Sequence, residues 1–103
     1  MDLVVEVYRL TQGFPREELY RLTSQVVRAA ASVPVNIAEG NARGSTREYA
    51  YFLSVSKGSL VETETLLQIA VRLGYVGEAD ARVAQDLITE IDKMLTALRS
   101  RLP

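Results

Sequence analysis

An all-α fold, an antiparallel up-down-up-down four-helix bundle with a short first helix, is what this 103-residue sequence predicts. Three observations predict it. Apolar residues recur at intervals of three and four in four successive segments. The breaks between the later segments are only a few residues long, which makes neighbouring helices antiparallel. No stretch alternates apolar and polar residues as a half-buried strand would. The length suits one domain, residues 1–103, with a single modest core.

The first helix is expected over residues 2–11, with Val4, Val5, Val7, Tyr8 and Leu10, and ends before Gln12-Gly13. Ten residues rise about 15 Å, against about 37 Å for a second helix running from Arg16 to Gly40. A column this short does not cover its neighbours. Either the first helix is truncated and continues upstream of Met1, or another chain covers the gap.

The second helix follows Phe14-Pro15. Proline suits a first-turn position, and Glu17 and Glu18 favour the positive end of the helix dipole. Leu19, Leu22, Val26, Ala29 and Val33 mark its inner stripe. The third starts at Ser45-Thr46-Arg47-Glu48, a capping box in which Ser45 accepts from the Glu48 amide and Glu48 reaches back to the Ser45 amide. Its stripe runs through Tyr49, Phe52, Ser56, Leu60, Thr63, Leu67 and Ala70 to Leu73-Gly74, where glycine can take the left-handed cap conformation. Tyr51, Leu53, Val55, Leu66 and Ile69 lie off that stripe, so this helix is expected to bury more than one side. Gly58 and Ser59 in its middle predict a close helix–helix approach. The fourth helix spans about residues 78–102, with Ala84, Leu87, Ile91, Leu95, Leu98 and Leu102 on one face.

Composition narrows the function. Hydrophobic residues are 48% of the chain, high for so small a body, which assigns some apolar surface to a subunit interface. A net charge of −1 gives no global attraction to nucleic acid or to acidic membranes. Without cysteine there is no disulfide framework or thiolate chemistry; without histidine the usual acid–base group and the commonest metal ligand are missing. No apolar run approaches the roughly 20 residues that span a bilayer, and the acidic opening does not look like a signal peptide. A cytoplasmic protein with no membrane association is expected.

The stretch RAAASVPVNIAEG, residues 28–40, carries the main ambiguity. Pro34 inside a helix removes a hydrogen bond to Ala30 and costs on the order of 3 kcal/mol relative to a good helix former, so a kink is expected. Helical spacing brings Arg28, Ser32, Asn36, Glu39 and Arg43 within roughly an 80° arc, a polar stripe on a mostly apolar helix. It reads either as a groove in which Arg28 and Arg43 bind a phosphate or carboxylate and Asn36 and Glu39 orient it, or as a buried network in which Asn36 and Ser32 satisfy carbonyls freed by Pro34 and the arginines pair with acids on neighbouring helices. The structural network is preferred because buried polar groups need partners. A hairpin folded near Arg43 sets Arg28 beside Gly58 and within reach of Glu62, and an Arg28–Glu62 ion pair is expected.

No catalytic constellation emerges. Glu17/Glu18 and Glu62/Glu64 do not share helix faces, and the glycines of residues 40–45 match no phosphate-loop motif. No catalytic residue, metal, cofactor or small-molecule substrate is expected. Nucleic acid is a possible partner: Arg16, Arg21, Arg28, Arg43 and Arg47 fall in one third of the chain, an oligomer would repeat them, and Tyr49 and Tyr51 could stack on bases. The interleaved Glu17, Glu18, Glu39 and Glu48 weigh against it. Arg16, Arg21, Arg43 and Arg47 are the candidate contacts.

Phe14-Pro15 with Glu18, Gln25-Val26-Val27-Arg28-Ala29-Ala30, residues 32–40, Arg43 and the run at residues 58–64 together resemble a bacterial family, from about Val7 to the C-terminus. These are the four-helix-bundle proteins named for reading frames in intervening sequences of 23S ribosomal RNA, with relatives among retroelement accessory variability determinant proteins. The resemblance implies a homopentamer without enzymatic activity, and an architectural role for Pro34, Asn36, Glu39 and Gly40. The retroelement relatives bind nucleic acid through a basic surface, whereas this chain is slightly acidic. Two roles follow: an oligomeric scaffold that binds RNA, DNA or a nucleoprotein, or a protein–protein adaptor with no nucleic-acid role.

Overall fold

The computed structural model describes residues 1–103. Helix α1 spans Asp2–Thr11, α2 spans Ser24–Ala42, α3 spans Thr46–Arg72 and α4 spans Glu78–Ser100. A 3₁₀ turn, Arg16–Glu18, and a π turn, Leu19–Thr23, lead into α2. There are no strands. Helix α2 packs most extensively on α3, α3 packs on α4, and α1 packs on both α2 and α4, so sequence neighbours are spatial neighbours and the last helix returns to the first. The molecule measures 44 × 25 × 18 Å.

Each boundary has a local cause. Arg9 holds Glu6 with two hydrogen bonds of 2.6 and 3.0 Å, an i,i+3 pair that supports the short α1. This contact holds the Glu6 carboxyl below its ordinary pKa. Ser45 accepts from the Glu48 amide at 3.1 Å and starts α3. The Glu48 carboxylate, expected at the Ser45 amide, accepts instead from the Ser45 hydroxyl at 3.3 Å. Gly74, with φ +78°, closes α3: its amide bonds to the Val71 carbonyl and that of Tyr75 to the Ala70 carbonyl, a Schellman arrangement.

Seventeen buried apolar side chains form one cluster, drawn from all four helices and from Phe14 and Leu22 ahead of α2. Of the residues expected to be buried off the α3 stripe, Leu53 and Leu66 are in the core, while Tyr51 and Ile69 are exposed; Leu53 lies two turns from Leu60 on the same face, so α3 buries one broad face. Ile88, outside the expected α4 stripe, is buried too.

Two expectations about α2 and α3 are corrected. Leu19, expected on the inner stripe, is 50% exposed. The π turn, in which Arg21 leaves helical geometry at φ −119° and ψ −107°, changes the angle per residue and swings Leu19 out of line with Leu22 and Val26. The break in helical geometry therefore falls at Arg21, while α2 continues through Pro34. Close approach was expected at Gly58 and Ser59: Ser59 does meet Ser32 of α2 at 2.9 Å, whereas Gly58 has open space around it. The tight contact is at Gly40, where an added Cβ would lie 2.7 Å from the Phe52 Cβ.

Candidate functional site

Helix α2 presents the polar stripe as a series of contacts between residues four apart, a spacing that puts side chains on one face. Arg28 donates to Ser24 at 3.4 Å, and Asn36 donates to the Ser32 carbonyl at 2.8 Å and to its hydroxyl at 2.7 Å. Arg43 donates to Glu39 at 2.7 and 3.1 Å; both are exposed, as is Arg28, so the ends of the stripe are not part of the buried network that was expected. The middle of the stripe reaches α3: Ser59 donates to the Ser32 hydroxyl at 2.9 Å, and the buried Ser56 donates to the Val33 carbonyl at 2.9 Å. The carbonyls served are those of Ser32 and Val33, not the Ala30 carbonyl that Pro34 deprives of a donor.

The expected Arg28–Glu62 pair does not form. The Ser32–Ser59 contact sets the hairpin register about one turn farther along α3 than a fold at Arg43 implied, which brings Arg28 level with residues 62–63. Even so, the guanidinium stays within its own helix on Ser24, and Glu62 is exposed. Both side chains are hydrated, so little is gained by ordering them into a surface pair.

The four candidate nucleic-acid arginines do not behave as a set. Arg43 is engaged by Glu39, lies 3.7 Å from Glu48, and stacks on the Phe52 ring at 5.2 Å. Arg16, Arg21 and Arg47 are exposed and make no ion pair. Of the two tyrosines, Tyr49 packs against the core beside Gly40, and Tyr51 is exposed and T-shaped to the Phe52 ring at 5.2 Å. Lys57 pairs with Asp92 and ties α3 to α4.

The entrance to α2 carries more unpartnered apolar surface. Tyr20 is 90% exposed and Val5, on the outer face of α1, is 68% exposed. A groove of about 580 Å³ runs between α1 and the turns before α2, lined by Tyr8, Phe14, Leu19, Val27 and Arg16. Behind it, Glu18 joins distant parts of the chain. One carboxylate oxygen accepts from the Leu22 amide at 3.4 Å and the other from the Tyr75 hydroxyl at 2.8 Å. The Tyr75 ring lies 5.7 Å from that of Phe14. This hydrogen bond, then burial and the nearby Glu18 charge, push the Tyr75 pKa above its ordinary value.

A model of the 23S rRNA-intervening sequence protein family matches residues 1–97. The chain belongs to this family. No curated protein matches it. In this 23S rRNA-intervening sequence protein no helix is long and apolar enough to cross a membrane. Glu18, Tyr75, Leu19 and Tyr20 escaped the sequence reading as site residues. The periodicity of 100° per residue hides a π turn, and nothing in the sequence joins Glu18 to Tyr75. The only signals were an acid just after Phe14-Pro15 and a tyrosine just after the helix-ending Gly74.

Proposed function

We propose that this family member is a non-catalytic helical subunit of the cytoplasm that associates with copies of itself, and that the assembly offers its surface to a nucleic acid or nucleoprotein. One observation carries the reading: large apolar side chains, among them Val5, Tyr8, Leu19, Tyr20 and Val35, stand open on the outer side of α1 and α2. Tyr8 and Leu19 line one groove, and apolar groups exposed together at a groove mark association surfaces, unlike the single ones scattered over any protein. The family resemblance supports a ring of five. Arg16, Arg21 and Arg47, free of ion pairs, would be repeated in every copy and sum to a stronger field than one chain has.

Light scattering on a size-exclusion column tests the core of the reading. A mass several times that of one chain, held on dilution to micromolar protein, supports it, and a monomer defeats it. RNA and DNA binding measured over a range of salt tests the rest, because phosphate contacts release counterions and weaken as salt rises. A protein–protein adaptor is the second reading. It is favoured by the capture of Arg9, Arg43 and Lys57 by carboxylates, which takes these cations out of competition for phosphate. No nucleic-acid binding at low salt would decide for it.

A further inference from the structure

The entrance to α2 combines three features that belong together. A π turn adds one residue to the helical path, and such turns concentrate at functional places because they cost hydrogen-bond quality. Here the extra residue puts an aliphatic side chain into water: Leu19 would join the row of Leu22 and Val26 in a regular helix, yet it stands half exposed beside Tyr20. Third, a carboxylate from one end of the turn is held by a tyrosine from the opposite connection, between α3 and α4.

In an uninterrupted α-helix the Leu22 amide would bond to the Glu18 carbonyl. In this chain the Glu18 carboxylate accepts from that amide at 3.4 Å, with its second oxygen anchored by Tyr75 at 2.8 Å. The anchor is itself well placed. Gly74 closes α3 with a positive φ, and the Schellman bond from the Tyr75 amide to Ala70 aims the next side chain back over Phe14. Neither the aliphatic exposure nor the π turn is needed by the core, which already has Leu22 and Phe14 at this end.

We propose that the Glu18–Tyr75 contact is a latch that holds residues 16–23 in the π register and so keeps Leu19 and Tyr20 turned outward on the self-association surface. With the latch open, residues 16–23 no longer hold a single register and their amides open more often, so Leu19 is no longer kept in the groove it shares with Tyr8. Tyr75 then acts as a positioning residue for that surface, reaching it only through Glu18. The surface role rests on the proposed self-association; the latch itself does not.

Amide hydrogen exchange on the full chain tests the latch. Tyr75→Phe removes only the hydroxyl and keeps the ring on Phe14. Peptides covering residues 16–23 should then exchange about five- to tenfold faster, with peptides from the middle of α3 unchanged. Glu18→Ala should give the same local pattern. Exchange over residues 16–23 within twofold of the unaltered chain, or a rise spread evenly over all helices, overturns the proposal. A third variant, deletion of Tyr20, removes the extra residue. It should leave helix content intact and slow exchange over this segment; faster exchange there overturns the proposal. If the unaltered chain is an oligomer, Tyr75→Phe should also lower its mass at micromolar protein, and an unchanged mass overturns the surface role. If the unaltered chain is a monomer, the proposed function fails and the surface role with it, while the exchange result still decides whether the latch exists.

Discussion

Two glycines in adjacent helices have opposite roles. At Gly40 a methyl group would press on the Phe52 Cβ at 2.7 Å and on Tyr49 at 3.1 Å. The first of these atoms is fixed to the α3 backbone, so the helices must part, and Gly40→Ala should destabilise the fold by about 1–3 kcal/mol in denaturant unfolding, the usual range for overpacking. At Gly58 nothing lies within 4 Å, and Gly58→Ala should stabilise by about 0.5–1 kcal/mol, the difference in helix propensity. Equal effects from the two substitutions would contradict this assignment of the tight contact. Sequence alone ranks them the other way, because a glycine in mid-helix looks like a packing device and one near a helix end looks like a terminator. Only the neighbouring helix tells them apart. Tyr75 adds a pH dependence. Its folded pKa lies above the ordinary value of 10.0, so the neutral hydroxyl is favoured by folding. The stabilisation is complete below the unfolded tyrosine value and is lost as pH rises through the folded one. Alkaline unfolding curves of the unaltered chain and of Tyr75→Phe should therefore converge above the ordinary tyrosine range, and Tyr75→Phe should remove a late-titrating group from the tyrosinate absorbance.

Helices differ in how fully the sequence specifies them. The bounds of α1, Asp2–Thr11, and the start of α3 after Ser45 follow from signals within a few residues, and the structure has both. Ser45→Ala removes the acceptor of the Glu48 amide and should cost about 1 kcal/mol, read as a lower midpoint with an unchanged slope in urea. The α2 entrance was not legible. Its expected continuous helix from Arg16 is a 3₁₀ turn, a π turn and then α2, because Glu18 answers to Tyr75 from another connection. The stripe on α2 was legible as a stripe, since Asn36 contacts Ser32 and Arg43 contacts Glu39 four residues away, while Arg28 reaches back to Ser24. Its connections across to α3 were not, since they run through Ser56 and Ser59 and leave Glu62 unpaired.

For the molecule as a whole, the proposed self-association is tested at the exposed side chains of α1 and of the turn before α2. Replacing Val5 and Tyr20 together by Lys should leave helix content unchanged, as both are exposed, and should shift the light-scattering mass toward that of one chain. An unchanged mass would move the association surface elsewhere. The charges predict a modest nucleic-acid affinity: a chain of net charge −1 binds phosphates only through its local arginines, so any binding should fall steeply between 50 and about 200 mM salt.

By itself the sequence determined the number of helices, most of their ends and the faces that turn inward, because caps, glycine turns and the spacing of apolar residues act over a few positions. The tertiary structure alone decided which glycine is pressed by a neighbour, which arginines are held by carboxylates, and that Leu19 faces water. Each of these depends on what another helix or connection places nearby, and residues such as Glu18 and Tyr75 meet only once the bundle has closed.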